Sequence, residues 1–296
     1  MWYVRIFAIC HIFAFIWTFT HVMLFLAVYL ILTGNWGWLS MQMGILLALS
    51  HTRFPRDIRV SNTFIPAFRE AFGGSQVIRN DLAGSERPKL YAVHPHCIAA
   101  NGFGIAMNDC VERGESVTVA ASSWLCWFNP LFRWFVNSLG LGLTSVRREN
   151  VGAIMMTRTN VAILPGGFEE VLFMQPGYDV VYIKKRFGFI RFAKRFGYDI
   201  VPVFLFGESK LYHNAIPLPQ WLRRMSARLR LPIVVPRGPQ WWNIMPNTLV
   251  HGIRVVFGDR ITTAGDVADI HSRFIEEMKL IHSRYNPYRD TQLLIL

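Results

Sequence analysis

Between Arg5 and Arg53 the chain contains no Asp, Glu, Lys or Arg. Charged residues make up about a quarter of an ordinary globular protein, so an uncharged interval of this length excludes a plain soluble surface there. Acidic residues are scarce throughout: 19 Asp and Glu face 31 Lys and Arg, leaving a formal charge of +12 and a pI near 10.0. Such a surface attracts anions, whether nucleic acid, acidic headgroups or phosphorylated small molecules, and composition alone does not choose among them. Cysteine is sparse too. Cys10, Cys97, Cys110 and Cys126 form no C-x-x-C pair, and without a secretory context they suggest no disulfide framework, so they read as reduced thiols facing the cytosol. The chain also lacks internal repeats, low-complexity tracts and a G-x-S-x-G nucleophile elbow, which argues against a lipase.

The uncharged interval has its own grammar. Ile6 to Leu32 is a long apolar run, Thr33-Gly34-Asn35 breaks it, and Trp36 to Leu49 is a shorter run. A membrane-spanning helix needs about 20 apolar residues, so the first run is long enough and the second is marginal. The expectation is an N-terminal transmembrane or re-entrant hairpin over residues 1–52. Arg5, Arg53, Arg56 and Arg59 are its cytoplasmic flanks, and Trp36 and Trp38 lie at the opposite interface. A cleaved signal peptide has an apolar core of about 7 to 15 residues and a small-residue cleavage site, neither of which is present. A buried hairpin inside a soluble fold is the bland alternative. A membrane anchor disfavours nucleic acid as the anionic partner.

Beyond Arg53 the pattern becomes mixed. Lys89–Val93, Val117–Ala121, Val161–Leu164, Ile200–Phe206 and Ile253–Phe257 read as strands. Gly102–Arg113, Leu131–Leu139, Gly188–Phe196 and Asp266–Tyr285 read as helices. This alternation predicts one α/β domain over residues 53–296 with a mainly parallel sheet flanked by helices. Two further segments suit membrane contact. Trp124 to Leu143 is apolar and aromatic, yet Pro130 and Arg133 argue against a span. Residues 221–230 place Trp221, Leu222, Met225 and Leu229 on one helical face with Arg223, Arg224, Arg228 and Arg230 mostly opposite, as an interfacial helix on anionic lipid requires. An ordinary surface helix with its apolar stripe turned inward fits equally well.

Three stretches could carry chemistry. In Y-A-V-H-P-H a strand ends on His94, and His96, two residues on, projects to the same side if the chain stays extended; Pro95 keeps helix away. That edge of a parallel sheet is where ligands bind. The pair could supply a general base, two ligands of a metal for which the sequence offers no third, or a hydrogen-bonded core pair; alone it favours the last. In A-I-L-P-G-G-F-E-E, Pro165, Gly166 and Gly167 form a turn whose N–H groups could hold a phosphate or an oxyanion. Glu169 and Glu170 then begin a helix, and the whole could equally be a turn and nothing more. In K-K-R-F-G-F-I-R-F-A-K-R, the cations Lys184, Lys185, Arg186, Arg191, Lys194 and Arg195 could bind phosphate or simply be a solvated face.

Taken in order, these stretches resemble the type-2 diacylglycerol acyltransferase family, which includes monoacylglycerol and wax-alcohol acyltransferases. The family's H-P-H-G, P-G-G-x-x-E, R-x-G-F and V-P-V-x-x-F-G-E motifs correspond to His94–Cys97, Pro165–Glu170, Arg186–Phe189 and Val201–Glu208, and the helix from His271 resembles the family's last one. The resemblance implies a glycerolipid acyltransferase-like fold and transfer of a fatty acyl group from acyl-CoA to the hydroxyl of diacylglycerol, monoacylglycerol or a long-chain alcohol. It implies an endoplasmic reticulum membrane with the catalytic domain facing the cytosol, and lipid droplets as a further location. Acyl-CoA, a neutral lipid acceptor and membrane lipids are the expected partners; no nucleic acid, metal or further cofactor is expected, and a homo-oligomer stays open. His96 is then the expected base with His94 or Glu170 fixing its tautomer, and Pro165, Gly166 and Gly167 serve the oxyanion. Lys184, Lys185, Arg186, Gly188 and Arg191 serve acyl-CoA. Two departures stand out. Cys97 replaces the motif's last glycine, and Asn101 stands where the wider acyltransferase pattern H-x-x-x-x-D has a carboxylate, so Glu170 is the candidate to orient the imidazole. A covalent route through Cys97 and a non-catalytic lipid-binding protein are the rival readings.

Overall fold

The structure is a computed structural model that describes residues 19, 22–52, 58–71, 74–82, 86–214, 219–229, 236–237 and 252–296. Its strands are β1 Gln76–Arg79, β2 Lys89–His94, β3 Val117–Ala121, β4 Gly142–Ser145, β5 Asn160–Ile163, β6 Tyr178–Val181, β7 Asp199–Phe206, β8 His213–Asn214, β9 Pro236–Arg237, β10 Arg254–Phe257 and β11 Gln292–Ile295. All five expected strands are present, as β2, β3, β5, β7 and β10, and each end falls within one residue of the expectation. The expected helices form as Asn101–Glu112, Pro130–Ser138, Gly188–Phe196 and Val267–Tyr285.

Seven strands make one sheet in the order β1-β10-β7-β2-β5-β3-β4. From β7 to β4 every neighbour is parallel, whereas β10 runs antiparallel to β7 and carries β1 parallel to itself. The sheet is therefore mainly but not wholly parallel. β6 and β11 form a separate parallel ribbon, and β8 and β9 an antiparallel one. Strand alternation divides the core into two layers. Tyr91, Val93, Val201, Val203 and Leu205 face the helices Asn101–Glu112 and Pro130–Ser138. Leu90, Ala92, Ile200, Phe204 and Phe206 face Gly188–Phe196 and Val267–Tyr285. β7 is buried at every position, as a central strand covered on both faces must be. Pro202 is tolerated in it because the ladder beside it is already broken: Ile200 pairs with Ile261, β10 ends at Phe257, and the Pro202 carbonyl accepts from the Gly258 N–H at 2.8 Å.

At the N-terminal edge of the parallel strands a buried ion network fastens the sheet. Arg79 reaches Asp81 at 2.6 Å, Glu115 at 2.9 Å and Asp109 at 3.0 Å, and Lys89 reaches Asp81 at 3.0 Å. Burial alone would raise the Asp81 carboxyl, but Arg79 and Lys89 hold it below the usual range.

Before the sheet, residues 22–32 and Trp36–His51 are helices joined at Gly34, whose φ of +68° suits the breaker. The two are pinned together by the Gln42 amide, which donates to the Met23 carbonyl at 2.8 Å. Among the described residues no helix is long and apolar enough to cross a membrane. The first part of the run Ile6 to Leu32, with Arg5, Arg53 and Arg56, lies outside the described residues, as does the side chain of Arg59. Trp124 to Leu143 forms two short helices, Ser123–Phe128 and Pro130–Ser138. Its one cation, Arg133, donates to the carbonyls of Leu49 and Thr52 at 3.1 Å each. The final carbonyls of a helix have no partner of their own, so this guanidinium closes the end of Trp36–His51 and bolts the hairpin to the α/β body.

Candidate active site

Five parallel strands deliver their C-terminal ends to one edge, and the chemistry collects there. Alternation along β2 places His94 in the layer that contains Phe274, and the two rings meet edge to face at 5.9 Å. The imidazole is wholly buried. Its Nδ1 lies 2.6 Å from Glu170 Oε1, while its Nε2 has no partner among the described residues. Glu170, also buried, accepts twice more: from the His96 N–H at 2.6 Å on Oε2 and from the Tyr182 N–H at 2.9 Å on Oε1. One carboxylate thus joins the His94 ring, the peptide of the second histidine and the end of β6. The two backbone N–H groups divide between its oxygens, His96 on Oε2 and Tyr182 on Oε1, so the carboxyl group is held from both sides.

The His96 ring is partly exposed. Its Nδ1 is 2.7 Å from the Cys97 carbonyl, which can only accept, so Nδ1 carries the proton and Nε2 presents its lone pair. This corrects the expected role of His94 or Glu170 in setting the tautomer: Cys97 backbone sets it, and Glu170 positions the peptide beneath. The two histidines do not share one environment, because the strand ends at His94 and only the second ring emerges from the core.

The double glycine is explained by the same carboxylate. A Cβ on Gly166 would lie 2.1 Å from Glu170 Oε1, so only glycine lets the carboxylate fold back over the turn. Gly167 has φ +60° and ψ −154°, open essentially to glycine alone. Its N–H is spent on the Leu164 carbonyl at 3.0 Å, which removes it from the expected oxyanion donors; the Gly166 N–H has no acceptor among the described residues. Pro165 sits half-buried at the head of this turn. Neighbouring Glu169 pairs with one terminal nitrogen of Arg186, whose guanidinium also lies over the Tyr182 ring, while its Nε has no partner among the described residues. Lys184, Lys185 and Arg191 are exposed. Gly188 opens the helix Gly188–Phe196, and a Cβ there would meet nothing within 4 Å.

Cys97 adopts φ +45°, which accounts for a glycine in the family motif: the backbone is left-handed there and a side chain makes it costlier. Burial pushes its thiol well above the ordinary range, and the negative charges of Glu208, Asp179 and Glu170 push the same way. A thiol held neutral is a poor nucleophile. Asn101 is buried at the start of Asn101–Glu112, and no hydrogen bond joins it to either imidazole.

Glu208 closes the V-P-V-x-x-F-G-E motif, which gives it no role. It follows β7 and accepts from the Gly102 N–H, capping from a distance a helix whose own N-cap, Ala100, has no side chain to do so. Burial raises this carboxyl to about 8 despite that bond. Behind it, buried Asp179 accepts from Ser209 Oγ at 2.8 Å and lies 3.5 Å from His282 Nε2. The signal for Glu208 was its place at the end of a central parallel strand; nothing in the sequence pairs Asp179 with His282. Among the described residues no cluster could hold a metal.

Residues 50–290 match the profile of the family described as Diacylglycerol acyltransferase. The chain belongs to this family. It is similar to 2-acylglycerol O-acyltransferase 1 of Mus musculus, 30% identical over 247 residues that cover 74% of this chain and 71% of the relative. Diacylglycerol O-acyltransferase 2B of Umbelopsis ramanniana is 28% identical, with 66% and 63% covered. Acyl-CoA wax alcohol acyltransferase 1 of Mus musculus is 32% identical over a shorter match, 46% of this chain and 43% of the relative. Among solved structures, the 1-acyl-sn-glycerophosphate (LPA) acyltransferase PlsC from Thermotoga maritima aligns over 96% of this chain and 99% of that one, at 13% identity and a TM-score of 0.43. By family this diacylglycerol acyltransferase homologue is an enzyme of acyl transfer to glycerolipids or alcohols.

Proposed function

We propose that this protein moves a fatty acyl group from acyl-CoA to the free hydroxyl of diacylglycerol, forming triacylglycerol at a membrane surface. The observation that carries the mechanism is the His96 ring, tied through Nδ1 to the Cys97 carbonyl and left partly exposed with a basic Nε2. Nε2 accepts the hydroxyl proton as the oxygen attacks the thioester carbonyl. The Gly166 N–H, which has no acceptor among the described residues, is our candidate donor to the tetrahedral oxyanion. Collapse breaks the carbon–sulfur bond, and the proton on His96 passes to the departing thiolate, giving ester and free coenzyme A. In this reading wholly buried His94, joined to Glu170, serves to hold the peptide of His96 in place. No other group is needed for activation, because the thioester brings it. Lys184, Lys185 and Arg191, exposed beyond β6, are the cations offered to the coenzyme A phosphates.

The hairpin is read as embedded in the bilayer. Phe25, Leu32, Trp36 and Trp38 are all more than half exposed, a surface that water would not sustain. Trp124 and Trp127 continue this apolar face beside the Arg133 clasp. We place the catalytic body on the cytosolic side of the endoplasmic reticulum, with lipid droplets as a second site. Monoacylglycerol and long-chain alcohols present the same hydroxyl, and the shape of the acceptor pocket decides among them. The test incubates membranes containing the full chain with labelled acyl-CoA and each acceptor in turn. Labelled triacylglycerol as the main product supports the reading, a monoester or wax ester product moves the acceptor, and release of fatty acid from supplied triacylglycerol would make the protein a lipase.

A further inference from the structure

Helix Gln220–Leu229 takes no part in that reaction, yet it packs on Phe168–Phe173, the helix that carries Glu169 and Glu170. The division of its faces differs from the expected one. Ser226 is buried and Leu222 half-buried, whereas Trp221 is 65% exposed, Met225 41% exposed, and Arg224 and Arg228 are exposed beside them. Arg230 lies outside the described residues. At 3.6 residues per turn, positions 221, 224, 225 and 228 form one stripe.

This stripe mixes a tryptophan and a methionine with two arginines, and the helix has no acidic residue to pair with them. It is too apolar for open water and too charged for a protein core. A headgroup boundary satisfies both halves: phosphates meet the guanidinium groups while the indole and thioether enter the upper acyl region. The formal charge of +12 points to an anionic surface. The underlying helix is only six residues long and starts at Gly167 without a side-chain cap, so its stability comes from what packs on it.

We propose that helix Gln220–Leu229 docks through Trp221, Arg224, Met225 and Arg228 on an anionic phospholipid bilayer, and that this docking steadies the Glu170 helix beneath it. The kinetic half rests on the acyl-transfer reading; the binding half does not.

The test uses the full chain in nanodiscs of phosphatidylcholine, with or without phosphatidylserine, some carrying brominated acyl chains. Subtracting the quenching of Trp221→Phe from that of the unaltered chain isolates Trp221 from the other indoles. Quenching assigned to Trp221 is expected only with phosphatidylserine. Each arginine near such a surface contributes about fivefold in affinity, so Arg224→Gln with Arg228→Gln should weaken docking by roughly 25-fold and abolish the signal. Acyl transfer should rise severalfold with phosphatidylserine in the unaltered chain and stay flat in the double variant. Absence of the Trp221 signal in anionic discs overturns the docking surface. So does a double variant with unchanged quenching and a raised acyl-CoA KM in neutral discs, which would assign the arginines to coenzyme A. Because quenching requires no turnover, a docked protein inactive on every acceptor would refute acyl transfer and leave the docking surface standing.

Discussion

Replacing Glu170 by Gln tests the centre of the argument with almost no change of shape. The carboxylate accepts from the His94 ring, the His96 N–H and the Tyr182 N–H. A glutamine offers one accepting oxygen and one donating amide, so whichever way it turns, at least one buried backbone N–H faces another donor. A hydrogen bond to a charged group is worth about 1.5–3 kcal/mol, and an orphaned buried donor costs about 1–3 kcal/mol more, so the expected destabilisation is ~3–5 kcal/mol. Because the orphaned donor belongs to His96 or to its neighbour across the carboxylate, the ring proposed as the base shifts, and a misplacement of that kind is expected to cost about 10²-fold in kcat. Adjacent Glu169 supplies the control. Its pair with Arg186 is partly exposed, and Glu169→Gln should cost less than about 1 kcal/mol. The assay is kcat for labelled acyl transfer alongside thermal unfolding in detergent. A Glu170→Gln protein with near-normal turnover and stability, or a Glu169→Gln protein equally damaged, would refute the reasoning.

Other outcomes follow from the same geometry. His96→Ala should abolish turnover in the acyl-transfer assay, while Cys97→Ala should retain most of it, since the thiol is held neutral by burial; the reverse ranking would restore the covalent route. Gly166→Ala drives a methyl into Glu170 and should lose both activity and stability, whereas Gly188→Ala meets open space and should unfold no earlier. A raised acyl-CoA KM in Gly188→Ala without a change in Tm would place that backbone against substrate. Glu208 is raised in the folded state from 4.5 to about 8, so its contribution to stability is full below about pH 4.5 and is lost as pH climbs towards 8. That span is worth on the order of 5 kcal/mol for complete unfolding. Glu208→Gln can still accept from the Gly102 N–H and should flatten the dependence of Tm on pH over this window; an unchanged profile would place the titration elsewhere.

The strands that the sequence reveals, β2, β3, β5, β7 and β10, are the five that lie inside the seven-stranded sheet, because burial on both faces leaves an apolar signature. β1 and β4 are the edges of that sheet and β6 and β11 form the small ribbon, where polar residues such as Gln76, Arg79, Thr144 and Asp179 interrupt the apolar signal. The same limit applies to the site. H-P-H and P-G-G-F-E-E are visible as motifs, and Glu170 is a fair guess for the orienting carboxylate. That the turn glycine exists to make room for Glu170, and that a peptide N–H at Tyr182 completes its shell, are consequences of contacts between segments far apart in the chain. Charge counting likewise groups Arg186 with the candidate phosphate-binding cations, and its pairing with Glu169 is visible only in the fold.

The ribbon of β6 and β11 joins a strand near the middle of the chain to residues 292–295, and the Leu296 carbonyl then accepts from the N–H groups of Ile183 and Lys184. During synthesis β6, which leads directly to Tyr182, therefore waits with an open edge until more than a hundred further residues have emerged. An unpaired edge of this kind invites pairing with other chains until β11 covers it.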